Sequence, residues 1–173
     1  MVFLLVYIDD IIITGNDIGL ITKLQHILHS TFQMKDLRHL TYFLGLEVHS
    51  RDHGLFLNQH KYIQDLIELA SLKDATAVDT PMEANVKYRK DEGELLPDPF
   101  LYRQLVGSFI YLAITRPDIS YTIHIVSKFI QAPRHLHLVA VHCIIRYLIG
   151  SPTRGLFFPK QFTLKLTSYS DAD

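Results

Sequence analysis

Apolar residues come in short runs along the first sixty positions and at helical spacing later. FLLVYI, residues 3–8, is a continuous apolar run of strand length, and IIIT, residues 11–14, is a second, β-branched throughout. Only Asp9 and Asp10 separate them, so the pattern predicts a hairpin in a buried, central position of a sheet. Gly15-Asn16-Asp17 closes the second strand and offers N-cap oxygens for a helix to about Phe32, with Ile21, Leu24, Leu28 and Phe32 on one face. Residues 42–48 and 54–58 predict a second hairpin around Arg51-Asp52-His53-Gly54, with Gly54 suited to positive φ. A helix over 59–71 carries the stripe Ile63, Leu66, Ile67 and Ala70.

Residues 72–100 lose periodicity and hold Pro81, Pro97 and Pro99, which predicts a linker. Helical spacing returns at Phe100, with Leu101, Leu105, Phe109 and Leu112 on one face and Gly107-Ser108 suited to a close helix neighbour. Thr115-Arg116-Pro117-Asp118 predicts a capped start for a helix over 119–130. A further helix over 135–149 has Leu136, Ala140, Cys143, Ile144, Tyr147 and Leu148 as its core face, His135, His142 and Arg146 as a polar stripe, and Gly150 as its stop. Strands over 155–158 and 162–169 complete an α+β order without regular βαβ alternation.

Composition narrows the classes. The chain has 173 residues, 48% of them hydrophobic and 20% charged, which fits one packed domain or a domain with an appendage and excludes wholesale disorder. No apolar run is long enough for a membrane-spanning helix, and the apolar start lacks a basic n-region, so an intracellular, non-secreted protein is expected. The single cysteine, Cys143, fits a reducing compartment. The net charge of −1 hides an asymmetry: residues 103–160 hold seven Lys or Arg against one acid, Asp118. Such a segment attracts polyanions, or it is simply a solvated face.

The sharpest candidate chemistry is Tyr7-Ile8-Asp9-Asp10. Adjacent carboxylates repel each other, and no Lys or Arg occurs before Lys23. A hard divalent ion such as Mg²⁺ or Mn²⁺ would neutralise them, and paired ions of that kind serve phosphoryl transfer; a solvated Asp-Asp turn is the alternative. Ten histidines lack the spacing of a zinc site. Cys143 reads as a packing residue, and Arg116 as a partner of Asp118 or of nucleic acid.

These residues carry a resemblance. LLVYIDDIIITGND (4–17), FQMKDL (32–37), YFLGLEV (42–48), GLFLNQHKYIQDLI (54–67), TPM (80–82), YRQLVGSFIYLAITRPDISY (102–121), IIRYLIGSPTRGL (144–156) and YSDAD (169–173) together resemble the reverse transcriptase region of the copia-type retrotransposon Pol polyprotein. The resemblance covers essentially the whole chain, and such frames occur in plant nuclear and mitochondrial genomes. It implies the distal half of a polymerase palm over 1–58, a mainly helical thumb and connection over 59–150 with the linker at 72–100, and over 151–173 the start of a ribonuclease H-like domain. By position, Asp9 and Asp10 match the palm aspartates that hold Mg²⁺ or Mn²⁺, and Tyr7 the aromatic that contacts template–primer. Phe43-Leu44-Gly45 resembles the primer grip, and Asp171 the first nuclease carboxylate. Lys128, Arg134 and Arg146 would then meet the RNA or DNA template–primer.

The family also uses an earlier palm aspartate, fingers and further nuclease carboxylates, which match nothing in this sequence. Arg38 stands where the family usually has glycine. The resemblance therefore implies an RNA-directed DNA polymerase segment, catalytically incomplete alone. A non-catalytic nucleic-acid-binding module and an inactive relic are the rival readings.

Overall fold

The computed structural model describes residues 1–32, 34–83 and 86–161. The expected strand at 162–169 and Asp171 lie outside them. The described residues confirm an α+β architecture, divided into two compact units, residues 1–44 and residues from Gly45 onward.

In the first unit, β1 (Val2–Tyr7) pairs antiparallel with β2 (Asp10–Gly15), in register from Val2↔Gly15 to Tyr7↔Asp10. Asp10 thus belongs to the strand, and Ile8-Asp9 alone make the turn. Asp17 caps α1 (Ile18–Thr31), its Oδ1 accepting from the Leu20 N–H at 3.0 Å. The expectation of a buried hairpin fails. None of the described residues 1–44 is buried, and Phe3, Leu5 and Ile8 are 56%, 54% and 78% exposed. A two-stranded ribbon has two faces to cover, and α1 leaves these side chains open. β3 is only Tyr42–Phe43. The strand expected over 42–48 breaks there, because Leu44 (φ +48°) and Gly45 (φ +78°) both turn left-handed.

Arg38 adopts φ +63°, with its N–H donating to the Asp36 side chain at 2.7 Å. A side chain in this region costs about 1 kcal/mol per residue, which glycine avoids. Arg38→Gly should therefore slow amide exchange across residues 34–43 by a few-fold. Unchanged or faster exchange would contradict this account of the turn.

In the second unit, β4 (Leu46–Arg51), β5 (Gly54–Asn58) and β6 (Gly155–Pro159) form an antiparallel sheet with β5 central. Gly54 has no positive φ, against expectation. It is needed for space: a Cβ there would fall 2.2 Å from the Phe158 carbonyl oxygen and 2.8 Å from the Phe157 ring. The helices are α2 (His60–Leu69), α3 (Phe100–Leu112), α4 (Ser120–Ser127) and α5 (His135–Ile149). Their shared core holds Ile63, Leu66, Leu105, Phe109, Ile123, Val126, Ile144 and Leu148. Glu47 of β4 tops α2, accepting from the Lys61 N–H at 2.7 Å.

Several expectations shift within this unit. Thr115 is no cap: its hydroxyl donates to Gln59 Oε1 at 2.7 Å, and the next helix opens as a 3₁₀ turn, Pro117–Ile119. α4 then stops at Ser127, short of residue 130. Gly107 meets no helix, since a Cβ there finds nothing within 4 Å. On α5 the buried face is His137, Ala140, Val141, Ile144, Ile145 and Leu148, while Leu136, Cys143 and Tyr147 are only half-buried. Cys143 sits at the margin, its thiol 3.6 Å from the Thr80 carbonyl.

The described residues of the 72–100 segment are held against α5. Its backbone lies along α5, tied by Arg146 Nε to the Thr76 carbonyl at 2.7 Å and by the Val78 N–H to the Arg146 carbonyl at 3.4 Å. Nearer the start of α5, the Leu96 N–H donates to the Pro133 carbonyl at 3.0 Å. A chain held through its carbonyls has no need of side-chain periodicity, which is why the sequence pattern there is flat.

Candidate functional site

The β1–β2 turn sets the geometry of the acidic pair. Ile8 adopts φ +50°, a region that β-branched residues rarely enter. Such strain persists only where the surrounding structure enforces it, and the full pairing of Tyr7 with Asp10 enforces it here. Asp9 therefore occupies the corner. Asp10 stands opposite Tyr7, on the hairpin face that also carries Leu5 and Ile12. The structure thus brings Tyr7, Asp9 and Asp10 to one hairpin end.

Two carboxylates on consecutive residues can supply one side of a divalent ion's oxygen shell. Mg²⁺ takes six oxygens and keeps several waters, and a two-ion centre needs carboxylates from more than one strand. Among the described residues no group of three His, Cys, Asp or Glu could hold a metal ion. The pair alone therefore does not fit a complete two-ion centre, and no reaction step follows from these residues by themselves. Of the next acids in sequence, Asp17 and Glu47 are occupied as helix caps and Asp36 accepts from the Arg38 N–H.

Phe43 ends β3, and Leu44 and Gly45 are the two left-handed residues that follow it. Gly45 combines φ +78° with a close approach: a Cβ there would meet the Tyr111 hydroxyl at 3.1 Å. Both observations make glycine the fitting residue at this turn.

The basic segment is more committed than its charge suggests. Arg103 donates to the carbonyls of Ile130 and Gln131, each at 3.0 Å. Arg134 donates to the Lys90 carbonyl at 2.6 Å and to that of Gly93, and Arg146 holds Thr76. Arg154 reaches the Tyr147 hydroxyl at 2.9 Å. Lys128 is exposed.

Arg116 is the fifth arginine, and it is 1% exposed. Its Nε and Nη2 grip both Asp118 oxygens at 2.9 and 2.7 Å, while Nη1 and Nη2 donate to Ser151 O and Oγ at 2.8 and 2.9 Å. Tyr147 completes the group, donating to Asp118 Oδ2 at 2.8 Å. The Arg116 bond holds the Asp118 carboxyl below the usual carboxylate range, against the opposing effect of burial. Of the two roles open to Arg116, the structure gives the local one.

The histidines do not gather. His137 is fully buried on the core side of α5, and burial pushes its ring below the ordinary imidazole value; the same cause lowers His142. Sequence reasoning saw His137 only within the densest histidine group, His135, His137 and His142, and missed its buried role, whose local signal was a histidine one turn before the buried Val141.

Comparison with known proteins places the chain. The family described as reverse transcriptase (RNA-dependent DNA polymerase) matches residues 1–84. The Pol polyprotein of transposon RE1 from Arabidopsis thaliana is 46% identical over 173 residues, all of this chain and 12% of that protein. The Pol polyprotein of transposon TNT 1-94 from Nicotiana tabacum is 36% identical, across 99% of this chain and 14% of that protein. An uncharacterised mitochondrial protein of Arabidopsis thaliana is 35% identical over 99% of this chain and 71% of its own length. No solved structure matches. The chain belongs to the reverse transcriptase family of copia-type retrotransposon Pol polyproteins. It spans only about an eighth of the length of the RE1 polyprotein. Among the described residues no helix is long and apolar enough to cross a membrane.

Proposed function

We propose that this chain is the distal palm, thumb and connection of an RNA-directed DNA polymerase, and that it supplies part of an active site completed by other polypeptide. The observation that carries this reading is the strained hairpin that sets Asp9 and Asp10 side by side at the end of two apolar strands. In this assignment residues 1–58 are distal palm, 59–150 thumb and connection, and 151–173 connection and the opening of a ribonuclease H-like domain containing Asp171. Asp9 and Asp10 hold Mg²⁺ or Mn²⁺ jointly with a carboxylate from another palm strand. Tyr7 meets template–primer beside them, and Phe43-Leu44-Gly45 positions the primer end. The exposed Phe3, Leu5 and Ile8 are then the surface on which the remaining palm packs.

A stand-alone nucleic-acid-binding module is less well supported. Its affinity would rest on residues 103–160, and all five arginines there already have partners in the fold. Lys128 remains available for phosphate, with Arg134 and Arg146 able to share only what their linker carbonyls leave.

Manganese binding, followed by electron paramagnetic resonance, tests the incomplete pair. The chain should hold Mn²⁺ no tighter than about millimolar, as expected of few protein ligands and many retained waters, and Asp9→Asn with Asp10→Asn should remove even that. Micromolar binding, or weak binding untouched by the double substitution, would contradict the assignment.

A further inference from the structure

Residues 89–96 form a short strap across the start of α5, and its fastening converges on one histidine. The Leu96 N–H donates to the Pro133 carbonyl and the His135 N–H to the Glu94 carbonyl, both at 3.0 Å. Leu95 makes an antiparallel bridge with Arg134, whose guanidinium holds the carbonyls of Lys90 and Gly93. Beneath these contacts lies His137, with 0% of its surface exposed. Its Nδ1 accepts from the Arg134 N–H at 3.0 Å. The ring proton must then sit on Nε2, which donates to the Arg89 carbonyl at 3.1 Å. The Phe129 ring stacks on the imidazole, centroids 3.8 Å apart and 14° from parallel.

Only a neutral imidazole makes both bonds. A second ring proton would point Nδ1–H at the Arg134 N–H, turning an acceptor into a donor facing a donor. It would also bury a cation whose surroundings supply no counter-charge. From the strap the ring meets the Arg89 carbonyl, from the segment after α4 the Phe129 ring, and from its own helix the Arg134 cation. The strap also carries Asp91, Glu92 and Glu94, and among the described residues none of them pairs with Arg134.

We propose that His137 is an acid-sensitive latch: neutral, it fastens the 89–96 strap to α5, and its protonation releases the strap and frees the donors of Arg134. The latch leaves the core helices in place, and Leu105 and Val106 of α3, fully buried in the shared core, report on them. Burial, the larger cause, and Arg134 lower the ring's proton affinity in the fastened state, while the Arg89 carbonyl opposes them. The sign follows. The free ring takes its proton near pH 6.5, so the fastening is full above that value and is lost progressively below it. Between pH 7.5 and pH 5.5 the population of the released strap should rise severalfold, with about tenfold the ceiling set by an imidazole of ordinary affinity.

Hydrogen exchange on the whole chain, corrected for intrinsic rates, measures this. Protection of peptides covering residues 86–99, the Leu96 amide in particular, should fall severalfold, and by no more than about tenfold, from pH 7.5 to pH 5.5. Amides of Leu105 and Val106 should keep theirs. His137→Gln, which can still donate to Arg89 but cannot titrate, should abolish the pH response, and His142→Gln should retain it. Equal strap protection at both pH values, or the same loss in His137→Gln, overturns the latch. Should His137→Gln not fold, magnetic resonance on the unsubstituted chain decides instead. The His137 ring and the Leu96 amide must then titrate together, and a ring that titrates while that amide stays still overturns the proposal.

Discussion

Asp118→Ala should cost the second unit about 2 kcal/mol, less than a fully buried pair because the Asp118 side chain is 35% exposed, seen as a clear fall in its urea midpoint. The substitution leaves the Arg116 guanidinium buried at 1% exposure with only Ser151 to receive it. Removing one member of such a pair is expensive because the remaining charge keeps its desolvation cost and loses its compensation. The loss should also reach Tyr147, whose hydroxyl donates to the same carboxylate, and Arg154, which donates to that hydroxyl. Combining Asp118→Ala with Arg116→Met should recover much of the stability, because the double variant no longer buries a charge. A single variant as stable as the parent, or a double variant worse than the sum of its parts, would show that the pair does not organise this corner.

The same pair gives a pH dependence of definite sign. Asp118 is held chiefly by Arg116 below the usual carboxylate range. Its contribution is therefore present above the unfolded value near pH 4 and is lost as acid carries the pH down through the lower folded value. His137 acts in the same direction but at higher pH, below about 6.5. The second unit should thus lose the strap first and the Arg116 corner only in stronger acid.

The sequence made some of this legible. Amphipathic periodicity located α1, α2 and α5 to within a residue or two, because each buries one stripe or caps with a nearby side chain, as Asp17 does. Alternation and turn residues located the β4–β5 hairpin. Contacts between distant segments were invisible. Arg116 is fixed by Ser151, 35 residues away, and His137 by Arg89, 48 residues away. The strap left no pattern because its bonds use backbone carbonyls. The apolar runs of β1 and β2 misled, since apolar composition signals a surface that needs covering, and among the described residues nothing buries it. At the candidate site, the Asp9–Asp10 pair was plain in the sequence. The left-handed Ile8 that shapes its turn was not, because isoleucine carries no preference for that conformation.

The second large effect concerns polymerisation, where the expected activity of the chain alone is nil. A two-ion centre would need carboxylates from more than one strand, and positioning of the nucleotide supplies much of the rate. Asp9 and Asp10 come from a single hairpin end, and among the described residues no third ligand joins them. Supplying the upstream fingers-and-palm portion of an RE1-type polyprotein should complete the set. Removing both aspartates should then reduce extension by at least about a thousandfold, the scale associated with losing charge stabilisation at a reacting phosphate. The direct measurement is primer extension on a homopolymer RNA template with Mg²⁺, using the chain alone, the chain with that upstream portion, and the Asp9→Asn, Asp10→Asn chain with it. The account predicts no product from the first, product from the second, and its loss in the third. Extension by the chain alone that disappears in the double variant would show a complete site within it. Extension by the assembled pair that survives the double variant would show that Asp9 and Asp10 are not the carboxylates of the reaction.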